Sequence, residues 1–172
     1  MKLSQFFFLI FLFTGTSVFA QSMVDVSSSN SEPDIPIMDF DELDAYLKTQ
    51  PEQLLVINFW ATWCKPCVEE LHFFEYAHRD YKDQDVKVIL VSLDFAKAID
   101  RQLIPYVKQN EIQSEVILLS DTKMNSWINR VSEDWSGAIP GTWYITEDAT
   151  EFHEGKYADY NDIKQTILKL KK

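Results

Sequence analysis

Two cysteines are present in 172 residues, and they stand together in Trp63-Cys64-Lys65-Pro66-Cys67 behind an apolar run. A Cys-x-x-Cys pair can close as a disulfide, contribute to a metal site, or anchor haem. Haem attachment needs His directly after the second cysteine, and Val68 occupies that place. A metal would need histidines to complete its shell, because no third cysteine exists. His72 and His78 fall about 120° apart on a helix that turns ~100° per residue, and His153 lies far along the chain. A bridge across so short a loop restrains the unfolded chain far less than the ~3 kcal/mol expected for a loop of about 15 residues. Stapling is therefore a weak use of this pair, and redox exchange is the favoured one.

The flanking elements suit that chemistry. Leu54 to Trp60 is apolar at nearly every position, the pattern of a strand covered on both faces. From Pro66 the period changes, and Cys67, Leu71, Phe74, Ala77 and Tyr81 form one helical stripe. Cys64 then stands at a helix N-terminus, where unpaired N–H groups and the helix dipole favour a thiolate. Lys65 adds a nearby positive charge, unless its flexible head points to water. Pro66 fits the first helical turn, where its missing N–H has no partner to lose. Cys67 falls on the buried stripe. The expected division of labour is attack by an exposed Cys64 and resolution by a shielded Cys67.

Further along, Asp39 to Lys48 reads as a helix with Asp39 or Asp41 at its N-cap, and Val86 to Leu93 as a second buried strand closing on Asp94. Ile99 to Asn110 suits a helix that Pro105 kinks or splits. Val116 to Leu119 is a short strand and Asn125 to Val131 a short helix. Thr142 to Thr146 and Glu151 to Lys156 form a hairpin with Tyr144 and Phe152 as core contacts, and Asn161 to Leu170 closes the chain as a helix. The order α-β-α-β-α-β-α-β-β-α implies an α/β protein, a mixed sheet with helices on both faces.

Residues 1–20 read as a signal peptide: Lys2, the apolar run Phe6 to Phe13, and Val18-Phe19-Ala20 before Gln21. An uncleaved membrane anchor is the alternative, although the run is short against the about 20 residues of a span. Residues 21–35, with a serine cluster, read as a flexible lead-in, and residues 36–172 as one domain. Export would let a disulfide persist. A net charge of −11 and 46% apolar content exclude nucleic acid as a partner and argue against disorder. The four glycines, at 15, 137, 141 and 155, form no phosphate-cradling loop. No dissociable cofactor and no resident metal are expected.

The run Asn58-Phe59-Trp60-Ala61-Thr62-Trp63-Cys64-Lys65-Pro66-Cys67-Val68-Glu69-Glu70, together with Pro140 before a strand and the element order, resembles the thioredoxin superfamily and, within it, the exported TlpA/ResA-like thiol–disulfide oxidoreductases. The resemblance implies a three-layer α/β/α thioredoxin-like fold with a central mixed sheet and a C-terminal β-hairpin plus helix. It implies that Cys64 and Cys67 form the redox-active disulfide, that Pro140 is cis and lies against it, and that Ile139 offers backbone hydrogen bonds to an extended substrate. It also implies that Glu70 exchanges a proton with Cys67, with an ordinary solvated helix residue as the alternative. Trp63 would shape the rim around Cys64, and Asn58 reads as a buried polar group satisfied by backbone. Two positions depart from the pattern. His72 replaces a helix-bending proline, and Gly141 leaves the backbone after Pro140 less constrained.

By the same resemblance the chain reduces disulfides of exported protein clients in the periplasm or cell envelope, as part of cell redox homeostasis. Electrons would come from a membrane thiol carrier, cytochrome c maturation being one pathway among several. It would act as a monomer without stable membrane insertion after signal cleavage. Two other classes compete. A peroxide-reducing relative usually carries Thr-x-x-Cys, whereas Thr62 stands two residues before Cys64. A non-catalytic binding or metal-handling module would usually have lost one cysteine, and both are present.

Overall fold

The computed structural model describes residues 33–171; the expected signal peptide and most of the expected lead-in lie outside the described residues. Ile35, the last residue of that lead-in, is buried in the core. Strand β2 (Leu54–Trp60) is buried at every position. Its side chains alternate: Leu54, Val56 and Trp60 enter one apolar cluster, and Leu55, Ile57 and Phe59 enter another. A strand with two apolar faces needs a layer on each side, and the helices supply them.

Six strands form one sheet in the order β1-β4-β3-β2-β5-β6. The strand β3 (Val86–Ser92) runs parallel to β2, and β4 (Glu115–Leu119) parallel to β3. β5 (Gly141–Thr146) lies antiparallel on the other side of β2, and β6 (Thr150–Glu154) completes the hairpin. The sheet is mixed, as the element order predicts. The sequence reading lacks β1 (Ile37–Met38), because two residues display no period. Pairing defines it, with Ile37 opposite Leu118 and Met38 opposite Leu119.

On one face lie α2 (Lys65–Tyr81), α5 (Tyr160–Leu170) and α3 (Ile104–Gln109); on the other lie α1 (Phe40–Leu47) and α4 (Met124–Val131). The helix α1 begins with a capping box: Asp39 accepts from the Glu42 N–H, and Glu42 accepts from the Asp39 N–H, both at 2.9 Å. Before α3 the chain makes a turn of 3-10 helix at Ala96–Ala98 and a wide π turn at Ile99–Leu103. Pro105 cannot donate to the carbonyl four residues earlier, so regular helix starts only around it. The helix α2 runs unbroken past His72, and its stripe of Cys67, Leu71, Phe74, Ala77 and Tyr81 is buried, together with Glu70.

Tyr144 and Phe152 sit on opposite faces of the hairpin. Tyr144 is sealed under α5, with its hydroxyl 2.8 Å from that of Tyr157, while Phe152 packs against Trp135 on the α1/α4 face. Gly141 differs from its expected role. It is buried in β5, and a Cβ there would meet Phe152 Cζ at 2.8 Å. The missing side chain makes room for a ring; the strand pairing on both sides holds its backbone.

Candidate active site

Strand β2 ends at Trp60, and a tight turn carries the chain into α2, with the Cys64 N–H donating to Ala61 O at 3.0 Å. Cys64 is the N-cap of α2, and its sulfur lies 3.4 Å from the Cys67 N–H, which donates toward it. Cys64 and Cys67 are joined by a disulfide with their Cα atoms 5.3 Å apart. Cys64 retains 6% of its surface and Cys67 none, so whatever is accessible of the bridge belongs to Cys64. Cys64 is thus far less exposed than expected. The Lys65 side chain is 87% exposed and only 3.9 Å from Glu69 at its nearest, so its charge is largely solvated. Cys64 itself caps the N-terminus of α2, the positive end of the helix dipole.

The turn is held from β3. Asp94, buried at the strand's end, accepts from the Thr62 N–H (3.0 Å), the Thr62 hydroxyl (2.6 Å) and the Ser92 hydroxyl (2.8 Å). Sequence reasoning placed Asp94 only as the end of a strand. Its signal was available, since a carboxylate closing a buried run must find donors. Trp63, one residue beyond Thr62, is 58% exposed beside Cys64.

The Ile139–Pro140 peptide bond is cis, and the Ile139 carbonyl oxygen lies 3.8 Å from Cys64 Sγ. Pro140 O accepts from the Gly155 N–H at 2.8 Å. Trp135 anchors the approach to this segment: its indole N–H donates to Ala138 O at 2.8 Å, and its ring packs on Phe59 and Phe152. No positional argument in the sequence had assigned Trp135 a place. Trp127 stacks on Phe40, and Trp143 is buried in the same cluster.

Glu70 lies one helical turn beyond Cys67 and is fully buried, so the reading of a solvated residue does not hold. One oxygen accepts from the Tyr157 N–H at 2.6 Å, and the other from Asn58 Nδ2 at 3.3 Å. Asn58 also donates to Thr142 Oγ1 at 3.3 Å, while its own Oδ1 is buried without a partner. Asn58 is therefore held by side chains, where backbone partners were expected. Burial pushes the Glu70 carboxyl up to about 7, against the opposing pull of the Tyr157 N–H, the Asn58 amide and the Lys156 charge. Burial likewise pushes the Tyr157 phenol up to about 12. Such a carboxyl holds a proton near neutral pH and can give it up or take it back. Tyr157, 87 residues from Glu70 in sequence, was not foreseen. Among the described residues no group of three or more His, Cys, Asp or Glu could hold a metal ion.

Comparison with known proteins sets this geometry in context. The thiol–disulfide oxidoreductase ResA of Bacillus cereus is 27% identical over 116 residues, which span 67% of this chain and 62% of that protein. The chain spans less than two thirds of the length of the curated relatives it first matches. Among solved structures, a thioredoxin-related protein from Neisseria meningitidis serogroup B superposes with a TM-score of 0.61 at 17% identity, covering 72% of this chain and 89% of that one. A putative thiol:disulfide interchange protein DsbE from Chlorobium tepidum superposes at 0.60 with 22% identity, covering 73% and 85%. These likenesses fix the fold as thioredoxin-like. The AhpC/TSA family profile matches residues 31–150, and with its sheet order and helix-capping disulfide the chain belongs to that thioredoxin-like family.

Proposed function

We propose that this protein is an exported thiol–disulfide oxidoreductase that reduces disulfides in protein clients. The observation that carries the reading is a disulfide at a helix N-cap with a buried carboxyl one turn behind its inner sulfur. In the reduced protein, the Cys64 thiolate attacks one sulfur of a client disulfide. The client S–S bond breaks, a mixed disulfide forms, and the departing client thiolate takes a proton from water. Glu70, ionised, accepts the Cys67 proton. The Cys67 thiolate then attacks Cys64 Sγ, releases the second client thiolate and leaves the Cys64–Cys67 bridge. Two electrons pass from dithiol to client, and a membrane-held dithiol restores the reduced form.

Ile139 and Pro140 supply the backbone edge against which an extended client lies, and Trp63 its apolar rim. Export is supported by the leader-like first 20 residues, and the periplasm or cell envelope is the proposed site of action for a monomer. Among the described residues no helix is long and apolar enough to cross a membrane.

Peroxide reduction, the competing reading on this scaffold, finds less support. The Thr62 hydroxyl is engaged by Asp94 at 2.6 Å. Fast peroxide consumption dependent on Cys64, without a thiol-protein partner, is the result that would favour it. The decisive experiment for the proposal is trapping. Cys67→Ser protein, mixed with a disulfide-bonded client, is expected to accumulate an adduct on Cys64, located by mass spectrometry. Absence of any adduct, or an adduct only in Cys64→Ser, refutes the assignment. Measuring the couple against glutathione gives the direction: below about −250 mV supports reduction, and near −120 mV supports oxidation of clients.

A further inference from the structure

Among the described residues, the two most exposed large apolar side chains are Phe95 at 71% and Trp63 at 58%. The others more than a third exposed, Ile37, Tyr76, Met124 and Leu168, are scattered over β1, α2, α4 and α5. Phe95 and Trp63 are not scattered. Each stands one residue beyond a partner in the same hydrogen-bonded pair, Asp94 and Thr62, whose contacts are 2.6 Å and 3.0 Å. That pair ties the segment carrying Phe95 to the one carrying Trp63, and Trp63 directly precedes the N-cap cysteine. The exposure of Phe95 is built in. Asp94 is buried and anchored before it, and the Ala98 N–H closes a 3-10 turn on Phe95 O at 2.7 Å after it. The π turn that follows, an irregularity often found at functional positions, leaves Leu103 to hold the segment in the core.

Scattered apolar residues need no explanation, but two exposed rings on segments tied together next to the disulfide point to an interaction surface. Its occupant must bring sulfur to Cys64. We propose that Phe95 and Trp63 together grip a large apolar side chain adjacent to the cysteine of a protein client. This rests on the oxidoreductase reading and adds a client preference to it. A small thiol such as glutathione offers no large apolar side chain for the rings to cover. It also carries negative charge toward a chain of net charge −11. An extended polypeptide can satisfy the rings and lie along the Ile139 carbonyl with its cysteine between them.

The test uses the reduced full chain and two synthetic peptides, each closed by one disulfide, carrying Phe or Ser next to the attacked cysteine. Wild-type protein is expected to favour the Phe peptide in kcat/KM by about tenfold, the usual scale of a buried aromatic contact. Phe95→Ala should bring that ratio close to one, while Phe95→Leu, which keeps an apolar side chain, should retain most of it. Urea midpoints of both variants check that the fold is intact. A wild-type preference that survives Phe95→Ala, or no preference at all, overturns the inference while leaving the oxidoreductase reading standing. Failure to reduce either peptide instead removes that reading itself. Self-association abolished by Phe95→Ala would assign the rim to a second copy of this chain and also overturn the proposal.

Discussion

Replacing Glu70 by Gln offers a quantitative check on the buried carboxyl, made on the oxidised protein so that no thiol titrates. Glu70 titrates at about 7 in the fold against 4.5 for a free glutamate. A folded pKa above the unfolded one means that the native state prefers the protonated form. Stability from this group is complete below pH 4.5 and is lost as pH rises, until both states are ionised above about 7. The loss is about 3 kcal/mol when the two pKa values are taken at face value. The substituted amide would be permanently neutral. Its Oε1 can still accept from the Tyr157 N–H, and rotation of the Asn58 amide would turn the partnerless Oδ1 toward the new Nε2. The assay is urea unfolding of oxidised wild type and Glu70→Gln at pH 4 and pH 8.5. The variant should be nearly neutral at pH 4 and stabilising by up to about 3 kcal/mol at pH 8.5. An equal difference at the two pH values would refute the reasoning, because the carboxyl would then carry no unusual proton affinity.

Lys156→Met removes a charge that draws the Glu70 pKa down, so the pH at which this stability is lost should move upward, read by the same titration. Asp94→Ala leaves the Thr62 N–H and two hydroxyls without their acceptor, and should cost about 3 kcal/mol in urea unfolding. Gly141→Ala should cost about 1–3 kcal/mol through its contact with Phe152, and distinctly less in a Phe152→Leu background, as a double-mutant cycle would show.

Local periodicity explains what was legible in the sequence. The run Leu54–Trp60 and the stripe from Cys67 to Tyr81 announce a doubly covered strand and a half-buried helix, and both stand where the pattern puts them. Pro105 announces the break before α3. The spacing of the cysteine pair admits a disulfide among other uses, and the structure has that disulfide. What escaped depends on partners distant along the chain. Asp94 acquires its function from Thr62, 32 residues earlier, and Tyr157 from Glu70, 87 residues earlier. Gly141 reads as looseness in the sequence and proves to be an accommodation for Phe152, a neighbour only across the hairpin. The near-complete burial of Cys64 likewise involves a distant segment, the Ile139 carbonyl oxygen lying 3.8 Å from its sulfur.

The small strand β1 has a consequence for trimming of the chain. It hides the outer rim of β4: Leu118 and Ser120 donate their N–H groups to Pro36 and Met38 at 2.9 Å and 2.8 Å. Behind those bonds lies Val116–Leu119, four consecutive buried apolar residues. Cleavage after residue 20 would spare this cover, whereas a cut beyond Met38 would leave a bare, greasy strand free to recruit another molecule edge to edge. Two residues at the front of the domain thus decide how far proteolysis can advance before solubility is lost.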